Sequence, residues 1–133
     1  MKRKKNKDRQ QGPQSTARPK ISQSIWEFAG DFIRIGGTPE DRHNRLNAAC
    51  SAWNMACNTP ELREKHLAHY VRGYGQASPQ ADAGHLASIR KDMETLIAKT
   101  LKMFPNDLRQ IIAARIVSEG GKERIEAAAA SLQ

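Results

Sequence analysis

Along residues 46 to 57, Leu-Asn-Ala-Ala-Cys-Ser-Ala-Trp-Asn-Met-Ala-Cys, small apolar residues and one Trp recur at helical spacing. Leu46, Ala49, Cys50, Trp53 and Cys57 lie three, four, seven and eleven positions apart and so share one face of a helix. The pattern predicts a central helix with that face in the core. Small side chains let neighbouring helix axes come close, and Trp53 fills the volume that remains. Beside the apolar stripe runs a polar one of Asn44, Asn47, Ser51, Asn54 and Asn58. Amides are poor helix formers, so their repetition on one side points to work other than helicity. Two uses fit: a bond from Asn54 to a neighbouring element inside the fold, or an interaction stripe for a partner helix, a peptide or base edges.

The flanking stretches read as further helices. Ser24 and Glu27 have capping-box spacing, Ile25, Phe28, Phe32 and Ile35 follow on one face, and Gly36-Gly37 stops the helix. Thr38-Pro39-Glu40, Thr59-Pro60-Glu61 and Ser78-Pro79-Gln80 each place a hydroxyl at the N-cap and proline in the first turn. They predict helices beginning near residues 39, 60 and 79. The helix from 60 to about 74 carries Leu62, His66, His69, Tyr70 and Tyr74 on or near one side. The helix from 79 keeps Leu86, Ile89, Met93, Leu96, Ile97, Leu101 and Phe104 in phase up to Pro105. That is about 25 residues, a rod of roughly 38 Å.

Residues 108 to 133 admit two readings. As helices they place Leu108, Ile111, Ile112 and Ile116 at workable spacing before Gly120-Gly121 and an Ala-rich segment of high helix propensity. As a hairpin they turn at Gly120-Gly121, which sets Glu119 opposite Lys122, Ile116 opposite Ile125 and Arg115 opposite Glu126. Two opposite-charge pairs and one aliphatic pair in a single register favour the hairpin, which must then pack on the helices to be stable. The fold class expected is mainly α, a four-helix core with a C-terminal β-hairpin or helical pair, or α+β if the hairpin forms.

Charge adds a second level of organisation. Residues 1 to 20 carry Lys2, Arg3, Lys4, Lys5, Lys7, Arg9, Arg18 and Lys20 against Asp8 alone, a net +7 of the chain's +8. Residues 21 to 133 hold 14 basic and 13 acidic groups. The first 20 residues have almost no apolar side chain and cannot repay the entropy of ordering by burial. They are expected to be a disordered basic tail, and 21 to 133 a single small helical domain. No run of 18 apolar residues is present to span a membrane, and the basic start lacks the apolar segment of a secretory signal. Cys50 and Cys57, roughly 10 Å apart along one helix, are too distant to bond to each other. Reduced thiols and a cytoplasmic location follow as expectations.

The candidate chemistry is sparse. Eight cations in 20 flexible residues suit phosphate backbones, DNA or RNA, without reading sequence, and no aromatic residue is there to stack on a base. Lys2 to Lys5 also has the look of a short nuclear-import signal. Cys50, Cys57, His66 and His69 are weak candidates for zinc, because structural zinc sites use closer cysteine pairs. Neither Cys lies in the electropositive, exposed setting a nucleophile needs. No phosphate-binding loop is present, and the residues three before His66 and His69 are Arg63 and His66 rather than the Glu of a di-iron Glu-x-x-His motif. No catalytic residue and no cofactor is assigned. The expectation is a non-enzymatic accessory or adaptor protein whose tail contacts nucleic acid while its helical domain docks on a protein partner. The alternatives are a purely protein-binding module with an incidental tail and, third, a small Cys/His metal or thiol protein.

Overall fold

The computed structural model describes residues 19–131, arranged as α1 (Ile21–Ile33), α2 (Pro39–Ala56), α3 (Pro60–Ala77), α4 (Ala83–Met103), β1 (Arg109–Glu119) and β2 (Lys122–Ser131). The disorder expected of the basic segment concerns residues that, apart from Pro19 and Lys20, lie outside those described. Helix α2 organises the rest, packing against α4, β1, α1 and α3. Of the apolar stripe, Leu46, Ala49 and Trp53 are wholly buried and Cys50 and Cys57 half-buried, while Ala52, outside the stripe, is wholly buried too. Trp53 lies between Phe28 of α1 and Phe104, with ring centroids 5.7 and 5.4 Å away.

The hairpin forms in the register read from sequence: Glu119 faces Lys122, Ile116 faces Ile125 and Arg115 faces Glu126. Gly120 and Gly121 take φ of 59° and 79°, the left-handed pair a tight two-residue turn needs. Arg115 donates to Glu126 at 2.9 and 2.7 Å. Glu119 differs from the expectation in taking its ion pair from Arg124 at 3.4 Å rather than from Lys122.

One irregularity was not legible in advance. The pairing shifts between Ile111 and Ala113, leaving Ile112 as the extra residue of a bulge. Burial follows the shift, with Ile111 and Ile125 buried, Ile116, Ala114, Ala127 and Ala129 half-buried, and Ile112 68% exposed. Each buried Ile contributes roughly 1.5–3 kcal/mol relative to an exposed one. Helix α2 packs on β1 and α1 on β2. Arg42 near the start of α2 reaches Glu123 at 2.7 Å, while Asn54 near its end bonds Ile111, so α2 lies lengthwise on the hairpin.

Four local expectations are corrected. Helix α1 starts at Ile21 after Lys20, so Ser24 is no cap; it sits inside the helix, fully buried, with no hydrogen-bond partner for its hydroxyl. A start one turn earlier brings Ile21 into the core, while Ile35, beyond the helix end, is 70% exposed. Helix α4 begins at Ala83 rather than near 79 because Asp82 caps it, accepting from the His85 N–H at 2.8 Å. Ser78 closes α3, and its carbonyl accepts from the Ala81 N–H at 2.9 Å, which makes Pro79 the second residue of a turn. In α3 the inward residues are Leu67, Tyr70, Val71 and Tyr74, while Leu62, His66 and His69 are exposed. Thr38 and Thr59 cap α2 and α3 as expected, accepting from Asp41 N and Leu62 N.

Candidate functional site

The polar stripe of α2 divides into two uses. The Asn54 side chain donates to the Ile111 carbonyl at 3.0 Å and accepts from the Ile111 N–H at 2.8 Å. Its amide offers the same donor and acceptor that a neighbouring strand would. The backbone of one residue of β1, Ile111, is thus paired on the strand's outer edge by a side chain, next to the bulge. The Trp53 indole N–H donates to the Arg109 carbonyl at 2.6 Å and extends the same seam. Asn58 donates to the Asn54 carbonyl at 3.1 Å and lies 3.4 Å from His66 Nδ1. Asn44 and Asn47 are exposed and Ser51 half-buried, and among the described residues none of these three side chains has a hydrogen-bond partner.

The Cys57 thiol faces the same seam. Cys57 Sγ lies 3.8 Å from the Asp107 carbonyl and 3.5 Å from that of Arg109. Asp107, almost buried, holds Arg109 by two bonds of 2.9 and 2.5 Å and fixes the start of β1. Burial first, and the Asp107 carboxylate second, push the Cys57 thiol up from its ordinary value. Burial pushes Cys50 up to about 11. Both therefore stay protonated at neutral pH, the opposite of what a nucleophile requires. His66 and His69 point outward from α3, and no group of His, Cys, Asp or Glu among the described residues is placed to hold a metal ion.

The four helices meet at a cavity of about 210 Å3 that sequence patterning did not single out. Phe32 of α1 and Tyr70 and Tyr74 of α3 supply aromatic walls, with Ala48 and Ile89 between them. Asp41, Asn44 and Arg45 of α2 add the polar groups. Asp41 and Arg45 are held by the fold: the carboxylate accepts from Thr38 N at 3.0 Å, and the guanidinium donates to the carbonyls of Ile33, at 3.2 Å, and Gly36. The bond from the Thr38 backbone holds the Asp41 carboxyl below its ordinary value, while burial raises the Tyr70 hydroxyl. Tyr74 also lines a second, more polar depression of about 430 Å3 and contacts His85 there, hydroxyl to Nε2 at 3.2 Å. The signal available in the sequence was the Tyr70–Tyr74 spacing on α3. Its meeting with Phe32 and Asn44 depends on how three helices pack.

A second uncovered feature is the outer face of the hairpin. Ala113 and Ala128, both exposed, floor a groove of about 310 Å3 flanked by the Arg115–Glu126 pair. Of the basic segment, Lys20 is described and is exposed just before α1. Lys2, Arg3, Lys4, Lys5, Lys7, Arg9 and Arg18 lie outside the described residues. No helix among the described residues is long and apolar enough to cross a membrane. No protein-family model matches the chain, and comparison with curated proteins and with solved structures finds no match.

Proposed function

We propose that this chain is a non-enzymatic accessory protein, cytoplasmic, whose basic N-terminal segment contacts nucleic acid while its helical domain docks on a protein partner. The observation that carries the reading is the partition of charge: a net +7 in the first 20 residues against 14 basic and 13 acidic groups in the rest. A phosphate backbone is the polymer such a segment fits, through release of condensed counterions. Docking is supported by α3, in which Leu67 is the one buried residue and Leu62 is 44% exposed. Two free, protonated thiols agree with a reducing compartment.

The test is binding of labelled duplex DNA and single-stranded RNA at several salt concentrations. It compares the full chain, a variant with the basic residues of 1–20 changed to Gln, and a 21–133 truncation. The full chain should bind with a logarithmic salt slope of about −0.9 for each phosphate contact on duplex, and the other two should lose that salt-dependent binding. Failure of the full chain to bind at low salt would remove nucleic acid from the reading. The purely protein-binding alternative would then stand, favoured by the uncovered outer face of the hairpin with Ile112 68% exposed.

A further inference from the structure

The cavity where the four helices meet has the composition of a ring-binding site. Its walls are three aromatic side chains from two helices, and its polar groups are a carboxylate, a guanidinium and an amide. The charges of Asp41 and Arg45 cancel, so an occupant carrying net charge is matched poorly. A carboxylate that accepts, a guanidinium that donates and an amide that does both are matched by the edge of a neutral heterocycle. At about 210 Å3 the space is below the range for drug-sized ligands and accommodates a ring system rather than a helix or a whole nucleotide. Asn44, at the exposed end, has no partner for its amide among the described residues, while Asp41 and Arg45 are anchored by bonds to Thr38, Ile33 and Gly36. The polar groups are thus partly preorganised and partly unspent.

We propose that this cavity receives one unstacked base of a single-stranded nucleic acid, stacked against Phe32, Tyr70 or Tyr74 and read on its edge by Asn44. The proposal rests on the nucleic-acid reading above and supplies what the N-terminal segment lacks. That segment offers cations but no aromatic platform, and the cavity offers aromatic faces and an amide of the kind that pairs with base edges. The depression that shares Tyr74 with this cavity, with Ser78 and Gln80 in its lining, offers hydroxyl and amide partners to the adjoining sugar.

The test uses the full chain, unsubstituted and as Asn44→Ala and Tyr74→Leu. Its probes are a labelled 12-nucleotide single strand, an abasic strand of the same length and charge, and free nucleosides followed by tyrosine fluorescence. The unsubstituted protein should prefer the base-bearing strand over the abasic one by about tenfold or more. Either substitution should abolish that preference and leave the salt slope unchanged, with circular dichroism confirming that the variants fold. Saturable nucleoside binding lost in both variants also supports the site and shows that a free base suffices. Equal binding of the two strands by all three proteins would overturn the proposal while leaving the electrostatic contact intact. Binding of neither strand at low salt would overturn both. If N-acetyltryptophanamide saturates the fluorescence change and nucleosides do not, the cavity is an anchor for a protein side chain, and the base-binding proposal falls.

Discussion

Asn54 does in this protein what a third strand would do. Both of its amide groups are spent on the backbone of Ile111, itself 6% exposed, so water cannot take their place. Asn54→Ala should therefore cost about 1–3 kcal/mol, seen as a lower urea midpoint at unchanged slope. Asn47→Ala, on the exposed part of the same stripe, should stay within about 0.5 kcal/mol. An equal cost at both positions would contradict the division of the stripe. The sequence marked Asn54 as unusual. It could not name Ile111, because the partner lies 57 residues away and meets it only after the hairpin folds back. Cys50 carries the second residue-level prediction. Its thiol is raised by burial from 9.0 to about 11, so the folded state holds its proton where the unfolded chain has released it. Its contribution to stability is complete below pH 9 and is lost as pH rises toward 11. Cys50→Ser should flatten that alkaline decline, and alkylation of the native thiol at pH 7 should be slow compared with the unfolded chain.

At the level of elements, the informative case is the bulge in β1. From the turn outward, the pairing Ile116 with Ile125 would carry strict alternation to Ile112 as the next inward residue, after Ala114. The extra residue reverses the phase and turns Ile111 inward instead. Ile111→Ala should cost about 2–5 kcal/mol, and Ile112→Ala should be near neutral, within about 0.5 kcal/mol, in the same denaturation measurement. The reverse ranking would mean that the strand pairs without a bulge. Two adjacent isoleucines gave the sequence no means of choosing between them; the bond from Asn54 to Ile111 and the bulge beside it make the choice together. The start of α4 has a similar lesson. Ser78-Pro79 and Asp82 are both acceptable starts by local chemistry, and Pro79 is compatible with a turn as well as with a first helical residue. The closing turn of α3, which runs on to Ala77, takes Ser78 and leaves the cap to Asp82.

For the whole molecule, the described core draws on α1, α2, α4 and both strands, with Leu67 alone coming from α3. Among the described residues its members run from Ile21 to Ile125. The division of charge, the four helices, the central place of the Trp53 helix and the register of the hairpin were all legible in the sequence. Each depends on interactions between residues close in the chain or on a symmetry about one turn: helical spacing, hydroxyl caps beside proline, and cross-strand pairs about Gly120-Gly121. The inward face of α3, the bulge at Ile112, the bonds of Trp53 and Asn54 to β1, and the cavity uniting Phe32, Asn44, Tyr70 and Tyr74 were decided only by tertiary structure. The reason is physical: these features need particular side chains from distant segments to meet at fixed angles, and helix packing, unlike helical spacing, leaves no periodic trace in the chain.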